Sequence, residues 1–375
     1  MTCSSFAKLP GTPDAAYLAV RAELTVELLA ELRKSGCAGA VCFAAGFTES
    51  GRPDLQDRLR EAAGEMAVVG PNCYGILNYL DRAALWADFH GGRPVDRGAA
   101  IISQSGNLSL ILTMADSALP LSYLISNGNQ AVLEASDFID VFIDDPRVPA
   151  IGLYVEGLRD IPKFWHAAVR ALRASKPIIA LKSGVSEIGS QMTLNHTGSP
   201  AGSDGFYQAI FDRLGVVRVR TIPELIETLK MFCISGPLAG TKLGVLTCSG
   251  ADSVMVADLA SELGVELPPL STEQQANFQE YIADFVNLTN PFDFNTQIWG
   301  KPERRGSLLR RHAERRAVRR GRPDSRLPGA PVQRPLRLGE HLQFVHRGTR
   351  QHRQSICHDQ QLRENGPRED HRSTV

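Results

Sequence analysis

Ala99-Ala100-Ile101-Ile102-Ser103-Gln104-Ser105-Gly106-Asn107-Leu108 is the stretch whose reading decides the fold. Four apolar residues run straight into hydroxyl, amide and glycine residues, and a helical apolar pattern opens at 108. A short buried strand, a loop and a helix in that order form the repeating unit of a parallel sheet with crossover helices. Small residues at a helix N-terminus expose N–H groups and the positive end of the dipole to an anion. The same residues serve equally as an N-cap without a ligand. Ile101 stands where a Gly-x-Ser-x-Gly elbow would need its first glycine, which excludes an α/β-hydrolase.

The pattern continues in both directions. Upstream, strands are expected at 16–20, 38–43 and 67–69, with helices at 24–34 and 53–65, the second opened by Pro53. Downstream, strands are expected at 123–126, 151–155 and 177–181, and helices at 108–118, 162–174, 205–214 and 222–232. A linker-like 236–240 precedes a strand at 242–247 and helices at 251–263 and 272–283. The fold class is α/β. Four segments follow: 1–93, 97–235, 241–300 and an arginine-rich 301–375.

Composition divides the chain at the last of these boundaries. Its 41 basic and 41 acidic residues cancel overall. Residues 301–375 hold 18 Arg and one Lys against eight acidic residues, a charge of +11, so residues 1–300 carry −11. The tail has no helical or strand period, with one Phe and no Tyr or Trp, and cannot bury enough apolar surface to offset chain entropy. The seven cysteines are odd in number and form no CxxC pair, which favours reduced thiols in a cytoplasm. Residues 1–10 lack the basic and apolar pattern expected of a signal peptide, and no apolar run approaches the roughly 20 residues of a membrane span.

Three further positions could carry chemistry. Glu156 follows the 151–155 strand, where a carboxylate can orient an imidazole, although a surface glutamate at a strand end is commonplace. His196 lies in Asn195-His196-Thr197-Gly198-Ser199-Pro200-Ala201-Gly202-Ser203-Asp204. Such a polar, glycine-containing stretch suits a mobile active-site loop, and an imidazole can carry a phosphoryl group covalently. A lone loop histidine is also a frequent bystander. Gly70-Pro71-Asn72-Cys73-Tyr74-Gly75 is built for close backbone approach to a ligand or for a tight structural turn.

In this order, the segments resemble the ADP-forming acyl-CoA synthetases (acetate–CoA ligases), relatives of the succinyl-CoA synthetase α subunit. GPNCYGILN at 70–78 is similar to that family's GPNC.G motif, AIISQSGNL at 100–108 to its ISQSG loop, and NHTGSPAGSD at 195–204 to its SHTG..AGSD loop. SNGNQA at 126–131, DDPRVPAIGLYVEGLRD at 144–160, KPIIALKSG at 176–184 and NPFDFNTQIWG at 290–300 continue the match.

The resemblance implies a partial Rossmann-like CoA-binding domain followed by flavodoxin-like domains. It further implies conversion of acyl-CoA, ADP and phosphate to acid, CoA and ATP through a phosphorylated His196. Glu156 would orient His196, and Ser103, Ser105, Gly106 and Asn107 would bind phosphate. Gly70, Pro71, Asn72 and Cys73 would border the thiol end of coenzyme A. ATP or ADP with Mg2+ would be held by an ATP-grasp domain or partner subunit, a homo-oligomer being the other assembly expected. The small-molecule partner would be a carboxylic acid or its acyl-CoA.

The chain departs from the family pattern in three places. No glycine-rich turn precedes Tyr17, nothing in 301–375 resembles an ATP-grasp domain, and Asn195 and Pro200 replace the usual Ser and Leu around His196. A catalytically inactive CoA-binding remnant is therefore the alternative reading. Resemblance, periodicity and charge balance all end at 300, as expected of an out-of-frame tail. A genuine basic arm would instead bind nucleic acid or an acidic partner, and the acidic charge of 1–300 argues against nucleic acid.

Overall fold

A computed structural model describes residues 9, 11–115, 117–197, 203–238, 240–279, 282 and 286–294, with side chains 194–197 excepted. All belong to one compact unit, Met1–Glu340. The expected arginine-rich tail lies outside the described residues.

The first layer is a three-stranded parallel sheet in the order β1 (Ala15–Leu18), β2 (Gly39–Cys42), β3 (Ala67–Val69), with Tyr17 opposite Val41 and Val41 opposite Val69. Helix α1 (Ala22–Lys34) joins β1 to β2, and α2 (Pro53–Ala63) joins β2 to β3. α1 buries Thr25, Val26, Leu29 and Leu32, and α2 buries Leu55, Leu59, Ala62 and Ala63. These apolar residues recur every three or four positions, so each helix has one face for a shared core. α2 stops two residues before its expected end, because Gly64 takes a positive φ of 55°.

The larger sheet has seven strands in the order β10-β9-β8-β6-β7-β4-β5. In chain order they are β4 (Gly75–Asn78), β5 (Ala83–Trp86), β6 (Ala99–Ser103), β7 (Leu121–Ser126), β8 (Ile151–Val155), β9 (Ile178–Lys182) and β10 (Val217–Val219). β6 to β10 run parallel, while the hairpin β4–β5 pairs antiparallel with β7. Every residue of β6 and β9 is buried, as a sheet covered on both faces requires. The covering helices are α3 (Gly106–Met114), α4 (Ala135–Asp144), α5 (Ile161–Arg173), α7 (Asp204–Leu214) and α8 (Ile222–Ile234), while α6 (Glu187–Thr197) follows β9 in the chain. β4 and β5, which the sequence reading grouped with residues 1–93, thus hydrogen-bond into the second sheet.

A smaller piece follows, with β11 (Leu246–Thr247), α9 (Gly250–Leu263), α10 (Thr272–Gln279) and β12 (Phe292–Asp293). The strand expected at 242–247 shrinks to two residues, matching a partner of only two, while Lys242 bridges to Glu266 instead. Phe278 and Phe292 stack at 5.1 Å in its core.

Chain order along the large sheet fixes where a ligand can enter. β6 leads to β7 on one side, and the chain then crosses back to lay β8 on the other side of β6. The carboxyl ends of β6 and β8 therefore flank a topological switch point, the place where open parallel sheets bind ligands. Ser103 closes β6 and Glu156 follows β8 at that point, with Ser103 in register with Tyr154.

Candidate functional site

The loop after β6 is folded by its own hydroxyls. Ser103 is fully buried; its Oγ donates to the Ser105 carbonyl at 2.9 Å and accepts from the Ser105 N–H at 3.2 Å. Ser105 is the N-cap of α3, accepting from the Leu108 N–H at 3.2 Å, and its carbonyl also receives Ser109 Oγ at 2.8 Å. The N–H groups of Gly106 and Asn107 occupy the first helical turn, where no intrahelical acceptor exists. An anion at that turn would meet them and the helix dipole together.

Glu156 sits against this loop through Gln104. Gln104 Oε1 accepts from the Glu156 N–H at 2.5 Å and from the Gly157 N–H at 3.0 Å, and Nε2 donates to the Gly157 carbonyl at 2.6 Å. Lys182, the last residue of β9, donates to the Glu156 carbonyl at 2.9 Å and to the Ser183 carbonyl. Its Nζ also lies 4.7 Å from the centroid of the Tyr207 ring, while Tyr207 Oη accepts from the Leu158 N–H at 2.9 Å. Burial pushes the Lys182 ammonium down to about 8, partly offset by Asp204, with Arg218 lowering it further. Burial also raises the Tyr207 phenol.

The turn Gly70-Pro71-Asn72-Cys73 docks on the loop after β7. Asn129 donates its N–H to the Pro71 carbonyl at 3.0 Å, and Ala131 donates to the Gly70 carbonyl at 2.8 Å. The next residue, Tyr74, donates its N–H to Ser126 Oγ at 3.0 Å and lays its ring over Gly106, where a Cβ would come within 2.3 Å of it. Tyr74 Oη also donates to Asn107 Oδ1 at 3.4 Å. Cys73 is buried, its Sγ turned to the Cys42 carbonyl at 3.4 Å, and burial pushes its thiol well above the ordinary range. Only Asn72 of the four keeps partial exposure, and it donates Nδ2 to Asn129 Oδ1 at 3.3 Å.

The structure therefore brings Ser103, Ser105, Gly106, Asn107 and Glu156 to one edge of the sheet and sets Gly70 to Cys73 beside them through Tyr74. The backbone of His196 ends α6 instead of beginning a loop, because the good helix formers Gln191, Met192 and Leu194 carry the helix to Thr197. Its side chain lies outside the described residues. α6 itself packs on the 3₁₀ turn Thr48–Ser50 of the first layer.

Gln104 and Lys182 went unmarked by the sequence reading, though both are written there. A long amide between two small serines, and a lysine closing a strand buried on both faces, each ask for a buried partner. Arg159 was missed as well. It donates Nη2 to Glu134 Oε1 at 2.6 Å and Nη1 to the Gln130 and Ala131 carbonyls at 2.7 and 2.6 Å, tying the loops after β8 and β7 together.

Comparison with known proteins adds to this geometry. Residues 96–232 match the succinyl-CoA ligase like flavodoxin domain. The chain is 34% identical over 284 residues to the ADP-forming acetate–CoA ligase of Methanocaldococcus jannaschii, covering 75% of this chain and 40% of that one. It is 32% identical over 312 residues to the α subunit of ADP-forming acetate–CoA ligase II of Pyrococcus furiosus, covering 81% and 67%. Among solved structures, the dinucleotide-forming acetyl-coenzyme A synthetase 1 of Ca. Korarchaeum cryptofilum, in complex with phosphate and ADP, superposes with a TM-score of 0.70 at 28% identity, covering 78% of this chain and 64% of that one. The chain spans less than half the length of the Methanocaldococcus relative. Among the described residues, no helix is long and apolar enough to cross a membrane.

Proposed function

The chain belongs to the ADP-forming acetate–CoA ligase family, and from that premise we propose that it supplies the CoA-binding and phosphohistidine portion of such a ligase. Phosphate bound at the α3 N-terminus attacks the thioester carbonyl of an acyl-CoA. The carbon–sulfur bond breaks, giving an acyl phosphate and the CoA thiolate, which takes up a proton. His196 then attacks phosphorus and releases the carboxylic acid, and the phosphoryl group passes from His196 to ADP to make ATP. The reverse sequence activates the acid.

The geometry supports the following roles. The first-turn N–H groups of Gly106 and Asn107, on a loop folded by Ser103 and Ser105, hold the phosphate oxygens. Glu156 orients the imidazole of His196 and stabilises the form that attacks. Gly70, Pro71 and Asn72 border coenzyme A through their backbone and the Asn72 amide, whereas the buried Cys73 thiol serves the turn itself. An ATP-grasp partner holds the nucleotide with Mg2+, and the assembly works in the cytoplasm.

The single observation that carries this reading is the meeting of the α3 N-terminus and Glu156 at the switch point, joined by Gln104. The test is incubation of the full chain with an ATP-grasp subunit and ATP labelled in its γ-phosphate. Acid-labile, base-stable label on this chain, lost in His196→Ala, is the expected result. Label that survives His196→Ala defeats the role of His196, and no label on the wild-type chain defeats the reading and leaves a CoA-binding fold without turnover.

A further inference from the structure

The peptide of Glu156 is gripped at both ends by side chains from neighbouring strands. Its N–H enters Gln104 Oε1 at 2.5 Å, from the loop after β6. Its carbonyl receives Lys182 Nζ at 2.9 Å, from the end of β9. Gln104 takes the Gly157 peptide as well, through both that residue's N–H and its carbonyl. Four hydrogen bonds thus hold the N–H and carbonyl groups of two successive residues just after β8.

The burial makes these bonds informative. Lys182 is 5% exposed and Glu156 7%, so water does not compete for the groups involved. A buried ammonium is costly, and this one donates to two main-chain carbonyls. Gln104 is meanwhile part of the Ser103–Asn107 loop, and its own N–H donates to the Tyr154 carbonyl at 3.2 Å. One side chain therefore joins the turn at the α3 N-terminus to the main chain that carries the Glu156 carboxylate.

We propose that Gln104 and Lys182 are positioning residues that clamp the Glu156 peptide and so fix the direction and distance of its carboxylate from the α3 N-terminus. The proposal rests on Glu156 acting on His196 as described above. Neither residue touches the reacting phosphorus. Both act through Glu156, so their effect on the reaction disappears when Glu156 no longer carries a carboxylate.

Two measurements test this on the full chain. In the first, amide hydrogen exchange is followed in wild type, Gln104→Met and Gln104→Glu. The clamp predicts exchange at Glu156 and Gly157 about tenfold faster in Gln104→Met. Leu153, in the middle of β8, should exchange at its wild-type rate, and Gln104→Glu, which keeps the acceptor, should restore most of the protection. Unchanged exchange at Glu156 overturns the clamp.

In the second, the rate of phosphohistidine formation is measured with an ATP-grasp subunit in wild-type and Glu156→Gln backgrounds. Gln104→Met and Lys182→Met are each expected to slow it about tenfold in the wild-type background and less than about twofold in Glu156→Gln. Equal slowing in both backgrounds means a merely structural role and overturns the proposal. If the wild-type chain takes no label, the functional reading fails, while the exchange measurement still decides the clamp. Lys182→Met carries the second measurement alone should Gln104→Met not fold.

Discussion

Gly128 and Asn72 approach so closely that a Cβ on Gly128 would stand 2.2 Å from the Asn72 carbonyl oxygen and 2.3 Å from that of Pro71. Gly128 also holds a φ of 50°. This contact seats the turn after β3 on the loop after β7, so the first layer and the larger sheet share a boundary made of backbone. Gly128→Ala must force main chain apart instead of displacing a flexible side chain. A loss of about 2–4 kcal/mol is expected in urea unfolding. A midpoint equal to wild type would mean that the two loops can separate freely.

The central strands of the larger sheet were legible because their burial is nearly complete. β6, β8 and β9 read as uninterrupted apolar runs because helices cover both faces of the sheet. β4 and β5 escaped because each is only four residues long: the inner β4 alternates buried and half-buried positions, the edge strand β5 is exposed or half-buried, and the turn at Arg82 parts them. α4 escaped for another reason. Its Phe138, Ile139, Phe142 and Ile143 are correctly spaced, but the interleaved aspartates at 137, 140 and 144 have poor helix propensity. Packing and a Glu134–Asp137 capping box hold that helix.

The site divides in the same way. Ser103 and Glu156 could be marked because each ends an apolar run. Gln104 and Lys182 show locally only that they need a buried partner; which partner is not legible, because the main-chain atoms they bind lie 52 and 26 residues away.

The Lys182 ammonium gives a pH dependence with a definite sign. Its folded value is about 8, against 10.5 when exposed, with desolvation as the chief cause. Between those values the unfolded chain holds a proton that the folded chain has released, so this group makes stability rise with pH. Glu156, Asp204 and Arg218 carry the charges that face it, and the Tyr207 ring lies beneath it. The stability of wild type relative to Lys182→Met should therefore climb from pH 8 to 9.5, by at most about 1.4 kcal/mol per unit. Chemical denaturation of both proteins at several pH values measures it. A difference that is flat or falls with pH contradicts the assignment.

The turn around Cys73 predicts thiol behaviour. Cys73 and Cys42 are buried, and burial pushes the Cys42 thiol up to about 12 and that of Cys73 higher still. Cys248 is exposed. Since the thiolate is the reactive form, iodoacetamide at pH 8 should modify Cys248 and leave Cys42 and Cys73 untouched in the folded chain. Peptide mass spectrometry reads the sites. Rapid native labelling of Cys73 would show that the turn opens and that its thiol can reach coenzyme A after all.

The start of α7 offers a test in which the two halves of one ion pair are unequal. Arg218 on β10 pairs with Asp204 and donates Nη1 to Gln208 Oε1 at 2.9 Å. The arginine side chain is 6% exposed and the aspartate 35%. Removing Arg218 leaves a carboxylate that can turn to water, whereas removing Asp204 strands a guanidinium that cannot lose its proton and has little access to solvent. Asp204→Ala should consequently cost about 2–3 kcal/mol, and Arg218→Met roughly half of that, since its aliphatic chain retains the packing. The double variant should be no worse than Asp204→Ala alone, because the stranded charge is gone. Urea unfolding of the three proteins gives the comparison. If Arg218→Met proves the more damaging single change, the bond to Gln208 anchors α7 and the ion pair does not.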